Sequence, residues 1–471
     1  MFPSRLACLL VLALATCAAP LRAATHVWVK FGIGDWSDPN NWSPAGEVPQ
    51  KIPDSSDWAV IGIGGTATLN TEAGVNSLHI SRNDYKPGPG TLSITTGGKL
   101  TVQNAFLGFN APDFGVATVD GTGQLLVTGT TIGLVIGQFG TGVLNIRDQA
   151  KVTAPMIYLG KNGSASNGTI NLQGGTLQTG GIVRPDGTAT LNLNGGTIVA
   201  DAPQTAYYNT SSHANFFNGF DDLTLNGNGV ASNTAALTFD TNGYIVTATN
   251  NFTFTRGGTD TRIALNKTGN GTLILTGTIA ADFVDLTAGT LLINGDASAL
   301  HVIDIQAGAT LGGTGTIGGS QNHFANGTRL APGAENAVGS LTLNGFVSLN
   351  GEALFDLASS TLHDRLLNNF KIGIGGTITI NFLDGFDYQE GRLYSFDLMQ
   401  GVTGDYLSNI QWQNLSSQWS ILDDDSLTFI DGTLTFQLQQ VREPSTWLLF
   451  GIGAIIFVIC SLHRRRENLL K

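Results

Sequence analysis

Gly90-Thr-Leu-Ser-Ile94 is the first of four copies of one short pattern, and the others are Gly115-Val-Ala-Thr-Val119, Gly142-Val-Leu-Asn-Ile146 and Gly168-Thr-Ile-Asn-Leu172. The copies begin 25, 27 and 26 residues apart. Apolar and polar residues alternate within each copy, which places one set of side chains on each face of a β-strand. Self-similarity at such a period is the signature of a solenoid, and it outweighs length or composition as a guide to the fold.

Each repeat contains two further short strands separated by turn residues. The second strand recurs as Lys99-Leu-Thr-Val102 and Gln124-Leu-Leu-Val127, and the third ends in glycine at Leu107-Gly108, Ile136-Gly137 and Leu159-Gly160. One unit buries about six aliphatic side chains, ~9–18 kcal/mol gross, whereas ordering its backbone costs ~25–50 kcal/mol. Because only stacking against neighbours closes that gap, the sequence predicts an all-β chain folded as a right-handed parallel β-helix, or solenoid.

The composition is that of strands and tight turns. Charged residues are 12 % of the chain against a usual ~25 %, and 62 of 471 residues are glycine.

The only cysteines, Cys8, Cys17 and Cys460, fall in terminal apolar runs, so residues 25–440 depend on a repeated core rather than on disulfides. Seven of the 23 basic and two of the 35 acidic residues lie outside 25–440, which leaves that segment 16 basic and 33 acidic residues and a net charge near −17. Such a segment repels nucleic acid, which is therefore not an expected partner.

A second run of repeats lies further along the chain. It comprises Leu265-Asn-Lys-Thr-Gly-Asn-Gly-Thr-Leu-Ile-Leu-Thr-Gly277, Ala288-Gly-Thr-Leu-Leu-Ile-Asn-Gly295, Ala307-Gly-Ala-Thr-Leu-Gly-Gly-Thr-Gly315 and Leu330-Ala-Pro-Gly333. This run resembles the autotransporter-associated β-strand repeat of surface passenger domains. The resemblance covers about residues 262–345 and implies a surface-exposed solenoid.

The N-terminus has the layout of a secretory signal peptide. Arg5 precedes an apolar run over 6–19, and the small residues Ala23 and Ala24 mark the expected cleavage site. The run is short for a membrane span, although an uncleaved anchor stays open as an alternative. A lipoprotein box ending at Cys17 is a third interpretation.

The C-terminus carries a second apolar run over 447–462, followed by Arg464, Arg465 and Arg466. Sixteen residues rise about 24 Å as a helix, just short of a hydrocarbon core of about 30 Å, and the arginines should stay in the cytoplasm. The run therefore predicts one transmembrane helix over 447–463, with the arginines as its cytoplasmic stop.

A short motif stands directly before that helix: Glu443, Pro444, Ser445, Thr446 and Trp447. The tail 441–471 resembles the PEP-CTERM sorting signal of Gram-negative envelope proteins, and it departs from that signal at Arg442, where the first proline is expected. The resemblance implies processing by an exosortase, with Glu443 and Pro444 as recognition residues. It also implies an inner-membrane intermediate that passes to the cell surface or the extracellular matrix. An anchor that is never cleaved is the alternative.

The predicted organisation follows from these segments, and its parts are a signal peptide (1–24), N-terminal capping coils (25–89), β-solenoid repeats (90–200), an irregular β segment continuing the solenoid (201–261), the autotransporter-associated repeats (262–345), a C-terminal β-cap or small β-sandwich (346–440) and the sorting tail (441–471).

The residues predict no catalytic, metal or cofactor site. Gly313-Thr-Gly315-Thr-Ile-Gly318 satisfies a dinucleotide fingerprint but lacks the following helix that the fingerprint needs. We expect a non-enzymatic structural or adhesive protein with exopolysaccharide as a partner. The alternatives are a polysaccharide lyase or glycoside hydrolase, which would need clustered carboxylates, and a sugar-binding adhesin. The adhesin would use Trp36, Trp42 and the aromatic stretch 207–217, although the two tryptophans are better explained as a cap over the end of the core.

Overall fold

The computed structural model describes residues 23–44, 50–85, 87–203, 213–226, 235–255, 264–319, 321–423 and 425–441. Strands make up 56 % of the described residues. The described residues contain two 3-10 helices, Pro39–Asn41 and Leu407–Asn409, and no α-helix. None of their helices is long and apolar enough to cross a membrane. The helix expected over 447–463 lies outside the described residues, as do residues 1–22 and the sorting motif.

Most of the chain forms large, mostly parallel sheets built from solenoid-like coils, as the repeats predict. The opening glycines of the repeats stand directly opposite one another, because Gly90 pairs with Gly115, Gly115 with Gly142, and Gly142 with Gly168. Each coil runs through three strands, which we call faces 1, 2 and 3 in the order of the repeat. The in-register glycines show that the repeat alignment read from the sequence is the structural one.

The three faces are long columns of paired strands. Face 1 comprises Gly32–Asp35, Gly65–Leu69, Gly90–Ile94, Phe114–Val119, the first parts of Thr141–Ala154 and Asn167–Thr179, Thr188–Leu193, Asp222–Asn226, Asn251–Thr255 and Ile279–Ala280, and then a separate sheet of Asp296–Ala297, Thr316–Ile317, Ser340–Leu343 and Arg365–Asn368. Face 2 comprises the first parts of Glu72–Ile80 and Lys99–Leu107, Gln124–Val127, the second parts of Thr141–Ala154 and Asn167–Thr179, Thr197–Ala200, Leu237–Asp240, Leu265–Thr268, Phe283–Leu286, Val302–Ile305, Gln321–Phe324, Phe346–Leu349 and Ile372–Ile374. Face 3 comprises Thr25–Trp28, Trp58–Ile61, the second parts of Glu72–Ile80 and Lys99–Leu107, Leu134–Ile136, Ile157–Leu159, Ile182–Val183 and Phe217–Asn218, and then a separate sheet of Ile245–Ala248, Thr272–Leu275, Thr290–Ile293, Thr310–Gly313, Arg329–Pro332, Glu352–Leu357, Thr377–Phe382 and Ile410–Gln413.

Alternation within the strands fills the interior. In Thr141–Ala154, Leu144 and Ile146 are fully buried while Asn145 between them faces outward and Arg147 is exposed. The inward positions of successive coils belong to one continuous apolar cluster that runs from Trp28 to Leu438. Burial of these side chains against the coils above and below stabilises each coil, which no coil achieves alone.

Coil length divides the stack into two regions. In the long coils, successive opening glycines from Gly65 to Gly168 are 25 to 27 residues apart. In the short coils, Thr272 pairs with Thr290 and Thr290 with Thr310, which gives coils of 18 and 20 residues. The short coils narrow face 1 to two residues at Ile279–Ala280 and shorten the corner that leads into it from face 3.

Both ends of the stack are closed by aromatic residues. At the N-terminal end, Trp28, Trp36 and Trp42 are buried in edge-to-face contact, and the Trp42 Nε1–H donates to the Trp36 carbonyl over 2.8 Å. At the C-terminal end, an antiparallel sheet packs Phe436 against Phe382 and Trp412 of the last coils. The strands of that sheet are Leu393–Asp397, Trp419–Ile421, Thr428–Ile430 and Thr433–Gln440.

Parallel pairing continues past residue 345. Glu352–Leu357 pairs with Thr377–Phe382, and that strand pairs with Ile410–Gln413. The expected C-terminal β region therefore begins as further coils, and only its last part is a separate sheet that closes the stack. In the described part of 201–261, Leu237–Asp240 pairs with strands on both sides and continues face 2.

Candidate functional site

The outer side of face 3 in the long coils is covered rather than bare. His79 pairs with Phe106, Phe106 with Val135, and Val135 with Tyr158, so these outward side chains form one column. His79, Phe106 and Val135 are nonetheless buried, and Tyr158 is partly buried. The loops at the corner after face 3 supply the cover.

A second column of side chains lies at that corner. The Phe109 N–H donates to the Ser81 carbonyl, the Gln138 N–H to the Gly108 carbonyl and the Lys161 N–H to the Gly137 carbonyl, over 2.8 to 3.1 Å. Arg82, Phe109, Gln138 and Lys161 therefore follow one another up the corner. We call the two columns together the corner strip: His79, Phe106, Val135, Tyr158, Arg82, Phe109, Gln138 and Lys161.

The end of the corner strip nearer the N-terminus is closed. The Arg82 guanidinium lies 4.2 Å from the Phe109 ring centroid and 5.0 Å from that of Tyr85. Its Nε and one terminal nitrogen donate to the two carboxylate oxygens of Asp84, each over 3.0 Å. The charge of Arg82 is paired, and 13 % of its side chain is exposed. Its role is therefore to hold the aromatic rings and Asp84 of this corner together.

The other end of the strip opens into a cavity of about 570 Å³. Lys161 Nζ lies 4.4 Å from the Tyr158 ring centroid. Arg184 lines the same cavity and is held by its backbone N–H, which donates to the Asn218 carbonyl over 2.9 Å. Asn162 lies on the wall and exposed Asp186 on the rim.

The cations of this cavity differ from Arg82 in lacking an acidic partner. Among the described residues, no carboxylate lies within ion-pair distance of Lys161 or Arg184. Burial lowers the pKa of Lys161 and raises the pKa of the Tyr158 hydroxyl. Burial is the cause of both shifts, so the site is partly dehydrated.

The predicted site residues are placed only at the N-terminal end. Ala23 is exposed, and the Ala24 carbonyl accepts a hydrogen bond of 2.8 Å from the Trp58 N–H, directly before the first strand, Thr25–Trp28. The sorting residues Glu443, Pro444, Ser445, Thr446 and Trp447 lie outside the described residues, as do Arg464, Arg465 and Arg466.

Those aromatic residues suggested for sugar binding that the structure describes are not accessible. Trp36 and Trp42 are 1 % and 0 % exposed, and they cap the core. Phe216 and Phe217 are also fully buried. Tyr207 and Tyr208 lie outside the described residues. An adhesive role therefore needs other residues than these tryptophans and phenylalanines.

Two carboxyl groups do lie together in the C-terminal coils. Asp364 accepts hydrogen bonds from the Gly339 N–H over 2.6 Å and the Asp356 N–H over 2.8 Å, and Asp356 accepts one from Asn381 Nδ2 over 2.6 Å. Burial raises the pKa of Asp364 to about 8. Both side chains are almost fully buried, and their backbone partners show that they hold the turn between Glu352–Leu357 and Arg365–Asn368 against the preceding coil. In the described part of the chain, no three His, Cys, Asp or Glu side chains meet in a way that could hold a metal ion.

The corner strip was missed by reasoning from the sequence, yet a signal was present. Phe109, Gln138 and Lys161 each follow the glycine that ends the third strand of a repeat. Repeat alignment places them in one column, although their chemical types differ. The unpaired state of Lys161 and Arg184 is visible only in three dimensions.

The open end of the strip combines two unpaired cations, an aromatic ring and two amide side chains around one cavity. Such a set can hold an anionic group beside polar groups that accept and donate hydrogen bonds. A scan against protein-family models finds no match for this chain, and a search among curated proteins finds none either.

Proposed function

We propose that this chain is an exported structural or adhesive protein, a right-handed β-solenoid that acts at the cell surface or in the extracellular matrix and performs no catalysis. The observation that carries the proposal is the stack of paired coils, which runs from Thr25–Trp28 to Ile410–Gln413 and is capped at both ends. A long, acidic rod without cysteine suits a scaffold role outside the cell, where stability comes from repeated burial.

Sorting through the C-terminal tail is the second part of the proposal. Its support is the order of features in the sequence: the motif at 443–447, the short apolar run and the terminal arginines. An exosortase-type enzyme is the proposed partner, and the inner membrane holds the chain through its C-terminal helix before processing. Exopolysaccharide is the proposed surrounding material.

Mass spectrometry of the exported protein tests the sorting step. We expect the mature chain to begin after Ala24 and to lack the residues that follow Trp447. Substitution of both Glu443 and Pro444 with alanine should leave the tail intact and hold the chain in the membrane fraction. Gln439→Ala, an exposed neighbour in the last described strand, is the matched control and should be processed normally. An intact tail on the exported wild-type chain would contradict the proposal.

A further inference from the structure

We propose that the open end of the corner strip binds the carboxylate-bearing sugar units of an acidic polysaccharide, with Lys161 and Arg184 pairing the carboxylate and Tyr158 contacting the sugar ring. The inference rests on the proposed extracellular role, because it names the material that the solenoid would meet outside the cell.

The charge distribution favours an anion at this place. Residues 25–440 carry a net charge near −17, yet Lys161 and Arg184 line one cavity here, and no carboxylate of the described residues lies within ion-pair distance of either. Arg82, in the same strip, shows how this fold pairs a cation when the cation serves the fold, since Asp84 holds it in two hydrogen bonds. Leaving Lys161 and Arg184 unpaired and partly buried costs stability, and a bound carboxylate would recover it.

The neutral groups favour a saccharide over a bare anion. The Tyr158 ring presents an aromatic surface, and Asn162 and Asn218 border the cavity with amides suited to hydroxyl groups. A volume of about 570 Å³ exceeds what one small anion fills. The two cations match the single carboxylate that one uronic unit carries.

Calorimetry on the full chain in detergent micelles tests the site with a hexamer of galacturonic acid. Maltohexaose, a neutral hexamer, and inorganic phosphate are the comparison ligands. We expect the uronic hexamer to bind at least about tenfold more tightly than either, with an affinity that falls as salt rises. Equal binding of maltohexaose would overturn the role of charge, and equal binding of phosphate would overturn the assignment to a saccharide.

Variants locate the binding on the strip. Lys161→Gln and Arg184→Gln should each weaken binding of the uronic hexamer about tenfold, and Asp186→Asn should tighten it about twofold by removing a negative charge from the rim. Lys151→Gln makes the same charge change on an exposed residue of face 2 and should alter affinity less than about twofold. If Lys151→Gln weakens binding as much as Lys161→Gln, the effect is one of overall charge and the site is refuted.

Lys161→Gln is expected to weaken binding and Asp186→Asn to tighten it. Because poor folding would not tighten binding, the Asp186 variant keeps the test valid if the Lys161 variant folds poorly. The outcome is also independent of sorting. A chain that binds the hexamer but keeps its tail contradicts the sorting proposal alone, and a processed chain that ignores the hexamer contradicts the site alone.

Discussion

The long and short coils of this molecule share one core and differ in the length of face 1 and of the corner that leads into it. In the long coils the chain takes eight residues from Leu107, at the end of face 3, to Gly115, which opens face 1. In the short coils it takes four residues from Leu275 to Ile279. The inward aliphatic side chains are equally buried in both regions. The difference therefore lies in what the coil carries on its outer edge.

The extra residues of the long coils therefore go into loops on the outer edge, where the candidate site lies, and not into the core. The extra corner residues of the long coils hold Arg82, Phe109 and Lys161 and form the corner strip. The short coils have no room for such loops. A polar side chain in them makes its hydrogen bonds inside the coil instead. There the fully buried Lys267 donates from Nζ to the carbonyls of Thr268, Gly269 and Ala288, over 2.8 to 2.9 Å, and ties the turns of two coils together.

The tightness of the short corner gives the largest expected effect. A Cβ on Gly295 would stand 2.0 Å from the Gly277 carbonyl oxygen of the preceding coil. Because backbone occupies that space, Gly295→Ala should destabilise the protein by about 3–5 kcal/mol. Gly163, in a corner loop of the long coils, has open space around its Cβ position and a φ of +79°. Gly163→Ala should cost only ~1–2 kcal/mol, the penalty for a left-handed backbone.

Urea unfolding followed by circular dichroism measures both variants. A similar loss for the two glycines would show that the corner at Gly295 has slack and that its backbone contact does not set the cost of the substitution. A shared m-value for wild type and variants is the check that the stack still unfolds as one unit.

The buried lysine gives the next largest effect, and it depends on pH. Burial lowers the pKa of Lys267 from 10.5 to about 8. Between pH 8 and 10.5 the unfolded chain thus binds a proton that the folded chain has released, so stability should rise with pH across that window. The rise should amount to about 3 kcal/mol, and it should vanish in Lys267→Met.

The matched control is Lys151→Met, which removes an exposed lysine from the long coils. That variant should keep the rise seen in the wild type. Unfolding free energies at pH 7.5, 9 and 10.5 give the three curves, and the contribution of every other titrating group cancels in the differences. Parallel curves for wild type and Lys267→Met would mean that the ammonium is as well solvated in the fold as in water.

The sequence predicts the coils of this chain far better than their corners. Positions such as Leu92 and Ile94 recur with a period of two inside a longer repeat, so their burial and register follow from the pattern. Glycine marks the corners because close packing of backbones excludes a Cβ there, as at Gly142. The alternating apolar positions and the corner glycines are local or periodic patterns, so both can be read from a single sequence.

The two signals give the position of the corner residues but not their role. Arg82, Phe109 and Lys161 share a place in the coil, which repeat alignment can find, but they share no chemical type that would mark them as a site. Whether a cation is paired depends on loop conformation, which places Asp84 against Arg82 and leaves Lys161 beside Tyr158 alone. Trp36 and Trp42 were candidates for sugar binding because of their residue type alone. Their burial at the end of the core rules out that role.

The smallest expected effect concerns a ladder of polar side chains on the outer surface of face 1, which the long coils begin and Thr188–Leu193 continues. Asn145 Nδ2 donates to Thr118 Oγ1 over 3.1 Å, Asn171 Nδ2 to Asn145 Oδ1 over 2.7 Å, and Asn192 Nδ2 to Asn171 Oδ1 over 2.6 Å. Asn171→Ala removes two of these bonds and Asn192→Ala removes one, so we expect losses of about 1 and about 0.5 kcal/mol in urea unfolding. The double variant should lose less than the sum of the two, because both single changes delete the same Asn171–Asn192 bond. Strict additivity would mean that water replaces the Asn171–Asn192 bond at no cost, in which case the ladder on face 1 would add less to stability than its geometry indicates.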